Sequence, residues 1–599
     1  MVALPREGER AEVGGQVEMT DSISQRVDVQ GIESLRPMVT GTRHMAVAGH
    51  YGAAHAAFAI LEAGGNAIDA GVAGGIALGV LQSDLVNVAG VAPIMIYVAK
   101  TREIVTISGL GTWPRAVTPD YFAKHCGGRI PHGVLRTVVP AAIDAWVTAL
   151  ERFGTMSFGD CASAAIRFAR DGFPMYPLMS DMIAMHVGDY ARWPLSAEIY
   201  LPGGRAPRPG ELFVQRDLAR TLQFLADEEK TASSRGRAAG LQAVRDAFYR
   251  GDVARAIADY HRANGGLMTR EDLADFRVAL EPPAKSRFRG LDVYTCGAWC
   301  QGPVLLELLN MLDGVDVVSM GHNSVDYVHT LVEAIKLAFA DREAYFGDPR
   351  FVDVPLETLL SPAYANARRA QIRRDRAAPG MPPAGDVGEA GRQPAPTRER
   401  AAAGAHDTSH VSVIDKQGNV FAATPSDPSY DTPVIPGTGL CPSSRGSQSF
   451  GDPSHPSCPA PGKRPRLTPM VAMALTPEGG AMPLGTPGGD VQAQALLQVM
   501  LNVRVFGMSL QQAVEAPRFA SYSFPDSFEP HSYSPGLLYV ENRVPQAVRG
   551  ALASRGHDVA EWPDFVWRAG AVCVQHADPA TGVISTGADP RRPCYAVGW

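Results

Sequence analysis

The sequence predicts a layered α+β fold, and three observations carry that expectation. Helical patterns dominate the first part of the chain. A stretch rich in Ala, Gly, Pro, Arg and Glu, nearly devoid of large apolar residues, interrupts it at 374–407. Three hairpin patterns and a further helix follow. Hairpins that share a helix after a helix-rich half bury their apolar faces by packing in layers.

The elements follow in order. Residues 1–37 are polar and read as a flexible segment, with order beginning near Met38. Ala53–Ala63 alternates small and apolar residues without Pro or Gly and reads as a helix, stopped by Gly64-Gly65-Asn66. The next helix, Ala67 to about Gln82, is packed with Ala and Gly, so neighbouring backbones can approach it closely and it is expected to be buried. Val91–Val98 is a short β-branched apolar run, read as an interior strand. From about 115 to 285 the pattern is mostly helical. Ser324 is placed to cap a long helix from Val325 to about Tyr345, with Val328, Val332, Ile335 and Phe339 on one face.

Residues 374–407 read as a mobile linker. Beyond it, Ser409–Ile414 and Val420–Thr424 form a hairpin pattern about Asp415–Asn419. Met470–Leu475 with Ala481–Leu484, and Val572–Gln575 with Val583–Thr586, repeat it, and Asp490–Val505 reads as a helix. The organisation expected is therefore 1–37, a large part 38–373, the linker 374–407, and a smaller part 408–599, the two parts forming one sandwich.

Composition sets the class. The 599 residues are 45% apolar and 20% charged, which excludes disorder of the whole chain. Fifty-five basic against 62 acidic residues leave a net charge of −7, a poor balance for a general nucleic-acid binder. Eight cysteines in this length make no disulfide scaffold. Cys296 and Cys300 lack a second pair at zinc spacing, and His44, His50 and His55 lack helical ligand spacing, so no metal is expected. No signal peptide is visible and no apolar run approaches the ~20 residues of a membrane helix, so a cytoplasmic protein without membrane partners is expected.

Thr408 stands where the linker ends and a strand begins. A hydroxyl there can attack the carbonyl of Asp407, shift the peptide to an ester and, after hydrolysis, divide the chain at 407/408. Thr408 then owns a free α-amino group with a pKa near ~8, able to act as base for its own hydroxyl. Gly485-Thr-Pro-Gly-Gly-Asp490 directly precedes a helix, where consecutive open N–H groups suit a developing oxyanion. Taken singly, each has a plainer reading, a strand start and a Gly-rich turn. There is no Gly-Lys-Ser/Thr of a P-loop, no His-Glu-x-x-His and no Gly-x-Ser-x-Gly.

Taken together, ordered motifs from about Met38 to Arg592 resemble the γ-glutamyltransferase family of N-terminal nucleophile hydrolases. They are His50 with Ile60–Ala70, Leu331–Arg342 followed by Gly347-Asp-Pro349, Thr408-Ser-His-Val-Ser-Val-Ile-Asp415, Lys463-Arg-Pro465, Gly485–Gly489, Ala516-Pro-Arg-Phe519 and Ala588-Asp-Pro-Arg591. The resemblance implies an αββα sandwich matured by cleavage before Thr408. It also implies Thr408 as nucleophile, Gly488 and Gly489 as oxyanion hole, and Ser426, in place of the usual Thr, as the supporting second hydroxyl. It implies no cofactor, and a protomer of large and small subunits able to dimerise.

The sequence departs from the family where the glutamyl group is held. Leu110 stands in the position of the Arg that binds the α-carboxylate, and Pro428 in that of a supporting Asn. The Asn-Asn-x-x-Asp-Asp-Phe stretch is replaced by Pro442–Phe450, and the glycines near Asn87–Pro93 are missing. Ser444 and Arg445 are read as candidate substitute substrate contacts, Arg445 for an anion, its plainer reading being a solvated loop residue. The expected activity is a self-processing amidohydrolase acting on a small, non-glutamyl acyl amide through an acyl-enzyme. A true γ-glutamyltransferase or glutathione hydrolase, an inactive binding or scaffold protein, and cleavage of a C–C bond beside a carbonyl are the alternatives.

Overall fold

The computed structural model describes residues 34–388 and 408–599. Two seven-stranded antiparallel sheets form its centre. The strands, in chain order, are β1 (Val39–Gly41), β2 (Met45–Ala48), β3 (Ile94–Val98), β4 (Glu103–Ile107), β5 (Leu280–Glu281), β6 (Ala284–Phe288) and β7 (Leu291–Thr295). After the linker come β8 (Val411–Ile414), β9 (Val420–Ala423), β10 (Ala472–Leu475), β11 (Ala481–Gly485), β12 (Cys573–Ala577), β13 (Ile584–Ala588) and β14 (Tyr595–Gly598). One sheet runs β1-β13-β12-β11-β10-β7-β6 and the other β14-β2-β8-β9-β3-β4-β5. Each therefore mixes strands from before and after residue 408.

Helices cover both outer faces. The helix α1 (Tyr51–Glu62) and the wholly buried α2 (Ala67–Leu81) pack on the second sheet, while α3 (Gly302–Leu312) packs on the first. The sheets also touch each other through β9 and β11, completing an αββα sandwich. Small residues in α2 permit this closeness: a Cβ on Gly71 would lie 1.9 Å from the Phe421 ring of β9. Asn66 caps α2 through a capping box with Asp69, and Gly64, at φ +95°, ends α1 as expected. Ser324 caps α4 (Val325–Tyr345) by accepting from the Tyr327 N–H.

Residues just before Met38 are already held in place, because the Leu35 and Arg36 amides donate to Glu515, and the rest of the segment expected to be flexible, 1–33, lies outside the described residues. The start of the stretch expected to be a mobile linker is held in place. Ala378 N–H donates to Glu333, Lys336 Nζ to the Ala378 carbonyl, and Gly385 N–H to Asp341. Composition alone misses these backbone contacts, which need no apolar side chain. Residues 389–407, and with them Asp407, lie outside the described residues.

Candidate active site

Thr408 precedes β8 and extends its line. Ser409 N–H donates to the Pro425 carbonyl and Gly49 N–H to that of His410, so this short segment is held from both sides. The same alignment sets Thr408 opposite Ser426, the first residue after the β9 strand and its Thr424-Pro425 exit. Their hydroxyl oxygens are 2.9 Å apart, and both residues are buried, at 1% and 0% exposure.

Arg445 reaches this pair. It opens a 3-10 turn (Arg445–Gln448), is wholly buried, and donates from Nη2 to Ser426 Oγ. Its Nε lies 3.5 Å from Asp427 Oδ1, and its guanidinium sits 5.4 Å from the Phe528 ring centre. Asp427 is the functional residue that motif reading passes over. Its backbone has φ +132°, a conformation costing a non-glycine residue on the order of 1–3 kcal/mol. Three hydrogen bonds hold its carboxylate: from Ser443 Oγ at 2.6 Å, Ser444 N–H at 2.9 Å and Ser444 Oγ at 2.8 Å. Burial pushes its pKa up, while Arg445 and the two serines pull the other way. The sequence signal was an acid between Ser426 and Pro428 with a Ser-Ser-Arg run to complement it. Ser444 itself gives both its N–H and its hydroxyl to Asp427.

His410 locks the floor. Thr424 Oγ1 donates to the Met470 carbonyl at 2.9 Å, so the 3.0 Å contact from His410 Nδ1 is an N–H donated to Thr424. Burial lowers the His410 pKa to about 3 and keeps the ring neutral. Gly485 lies flat against that ring, where a Cβ would come within 2.1 Å of Nδ1. This contact carries the Gly485–Gly489 turn to the Thr408 end of the sandwich. Gly488 and Gly489 have φ +122° and +55°, backbone that disfavours side chains. They lead through a short 3-10 turn into α5 (Gln492–Arg504), so their amides sit at the positive end of a helix.

The remaining motifs clamp that turn. Gln301 Nε2 donates to the Gly489 carbonyl at 2.8 Å. Arg342, near the end of α4, pairs with Asp490, which also accepts from Ser527 N–H and Oγ. Burial opposes the charge of the neighbouring Glu343, yet Arg466 and Arg342 hold its carboxyl well below the usual range. Asp348 accepts from the Arg464 N–H and guanidinium at 2.9 Å each, and Arg518 pairs with Asp589 at 2.6 Å. Distant sequence motifs are thus one another's partners. Leu110 and Pro428, the apolar replacements, are both buried.

Comparison with known proteins gives the family. The family model described as Gamma-glutamyltranspeptidase matches residues 53–599. The Acylase ACY 1 proenzyme of Pseudomonas sp. (strain SE83) is 35% identical over 564 residues, covering 92% of this chain and 93% of that protein. The Glutathione hydrolase-like YwrD proenzyme of Bacillus subtilis (strain 168) is 31% identical over 568 residues, covering 94% and 99%. The crystal structure of cephalosporin acylase from Bacillus halodurans superposes with a TM-score of 0.81 at 29% identity, covering 94% of this chain and 97% of that one.

Proposed function

Because the chain belongs to the γ-glutamyltranspeptidase family, we propose that it is a self-processing amidohydrolase whose nucleophile is Thr408 and whose substrate is a non-glutamyl acyl amide. The observation that carries the reading is the buried Thr408–Ser426 hydroxyl pair, 2.9 Å apart at the start of β8, with Arg445 donating to Ser426. In the first reaction the Thr408 hydroxyl attacks the Asp407 carbonyl and the C–N bond breaks, which frees the Thr408 α-amino group and leaves an ester; water then cleaves the ester, releasing the Asp407 carboxylate and returning the Thr408 hydroxyl. In turnover that amine takes the hydroxyl proton as Oγ1 attacks the substrate carbonyl. The amides of Gly488 and Gly489 receive the tetrahedral oxyanion, the amine leaves with the proton, and water releases the acid from the acyl-enzyme.

Ser426 is assigned to hydrogen-bond the attacking oxygen. The Arg445 charge makes the Ser426 hydroxyl a better donor, because the proton of a hydroxyl that accepts from a cation is more acidic. Ser444 is assigned to the support of Asp427. A non-glutamyl substrate is favoured by the apolar Leu110 and Pro428, and by relatives named as acylases. Intact mass and N-terminal sequencing test the reading. Wild type should give two pieces, the second beginning Thr408-Ser-His, and Thr408→Ala should stay whole. A wild-type chain that remains whole and fails to react with a hydroxyl-directed acylating probe would instead support a binding or scaffold protein.

A further inference from the structure

Far along α4 from Arg342, the helix carries a second cluster of chemical groups that the active site does not use. His329 and Glu333 lie one turn apart on one helical face, the i, i+4 spacing at which two side chains meet. His557, between the helix Gln546–Ser554 and the strand Asp558–Trp562, meets them from the other part of the chain. One donor atom from each of the three residues lies within 4.8 Å of the others, and all three are buried, at 1%, 6% and 4% exposure.

The protons show what the cluster lacks. His329 Nε2 is 2.6 Å from the Arg373 carbonyl, which can only accept, so Nε2 carries a proton; in the tautomer with that single proton, Nδ1 presents a lone pair. That lone pair faces His557 Nε2 at 2.8 Å. If His557 donates from Nε2, its Nδ1 lone pair is left buried without a partner, which is unfavourable. If the proton is on Nδ1 instead, two lone pairs confront each other. A cation between the rings resolves both arrangements. The Arg373 carbonyl then already provides the outer hydrogen bond that fixes a ligating histidine. Each Glu333 oxygen has one partner, Lys336 Nζ at 2.7 Å and Ala378 N–H at 2.9 Å, and keeps a second acceptor position.

We propose that His329, Glu333 and His557 bind one zinc-class divalent ion, through His329 Nδ1, His557 Nε2 and a Glu333 oxygen, with water as fourth ligand. Two imidazoles and a carboxylate suit such an ion. Tetrahedral ligation at about 2.0–2.2 Å needs neighbouring ligand atoms roughly 3.3–3.5 Å apart, so the two rings must separate by about half an ångström. His557 sits at a helix–strand junction that can give this much. His329 also lines a cleft of about 780 Å³ bordered by Asp326, Arg369, Asp375 and Arg555, which offers an entry path. The ligands come from both sides of residue 408. If the chain is cut at 407/408, as proposed above, the ion joins the two pieces and pins the 373–378 backbone, which is hydrogen-bonded to α4 through His329, Glu333 and Lys336.

The test uses untagged full-length protein stripped with a chelator, then titrated with Co²⁺ and with Zn²⁺ in competition. Wild type should bind one ion per chain, with the visible absorption of tetrahedral Co²⁺. His557→Gln, which keeps a side-chain donor towards His329, and Glu333→Gln should each lose about a hundredfold in affinity or more. Zinc should raise the thermal midpoint of wild type but not of either ligand variant. Binding that is absent in wild type, or equal in wild type and His557→Gln, overturns the site whatever the stability of the variants. The uncut Thr408→Ala chain should bind the ion equally, which separates this site from the catalytic reading. In processed protein, chelation should speed separation of the two pieces in mild urea; an unchanged rate refutes the joining role.

Discussion

The role given to Arg445 is open to a decisive test because its two partners answer separately. Replacing it by Met leaves Asp427 buried at 1% exposure with three neutral donors and no cation. Breaking a buried pair from one side costs on the order of 3–5 kcal/mol. Asp427→Asn in the same chain removes the orphaned charge and should return most of that stability. The Ser426 contact is not returned. A hydrogen bond from a charged donor is worth about 1.5–3 kcal/mol, so if it acts fully on the reaction barrier its loss slows the reaction on the order of ten- to a hundredfold. The assay is the rate of precursor cleavage, followed by appearance of the 408–599 fragment, beside denaturant unfolding of each variant. Arg445→Met should be unstable and slow, and Arg445→Met/Asp427→Asn stable and still slow. Full recovery of the cleavage rate with stability would refute the reasoning, showing that Arg445 acts only by holding the loop.

Other expectations are more local. Gly485→Ala should cost at least about 1–3 kcal/mol, because its Cβ meets the His410 ring, and should be read as a lower denaturant midpoint with impaired cleavage. Arg342→Met removes the partner of Asp490 and should slow amide turnover more than it lowers substrate affinity, measured as kcat against KM. Acid should destabilise the fold well before its carboxylates titrate. Burial lowers His50 and His410 to about 3 and His261 to about 4, so below pH 6.5 the unfolded chain takes up protons that the folded chain refuses. Stability therefore falls from about pH 6.5 downward, by about 2 kcal/mol per histidine at pH 5. Denaturant unfolding at pH 7 and pH 5 checks this, and His261→Gln should flatten the dependence.

Much of this architecture is legible in the sequence where local signals are strong. The Gly64-Gly65-Asn66 stop, the Ser324 cap and the hairpin turns act through neighbouring residues, and the structure places those boundaries within a few positions of the reading. The strands β2 and β14 are not legible in the same way. They are short, and they pair with strands far off in sequence, as β2 does between β8 and β14. The same divide holds in the site. Thr408 and Ser426 stand in recognisable motifs, but Asp427 acquires its meaning only when Ser443, Ser444 and Arg445 fold over it.

The surroundings of Ser426 also argue about the substrate. A glutamyl head carries an ammonium and a carboxylate, and each needs an opposite charge in a buried site to offset the loss of water. Here the nearest acid is matched to Arg445, Ser443 and Ser444, and the positions expected to supply a cation and an amide carry the buried Leu110 and Pro428. A zwitterionic head would therefore face apolar side chains or compete with an internal ion pair, whereas an acyl group without those charges would not. The expected outcome is a kcat/KM for a simple acyl anilide above that for γ-glutamyl anilide by roughly ten- to a hundredfold, the worth of one or two unmade charge-assisted hydrogen bonds. Leu110→Arg should narrow that ratio by adding a cation. A wild-type enzyme that prefers the γ-glutamyl compound would show that the head is gripped by other groups, and would favour the glutathione-hydrolase reading.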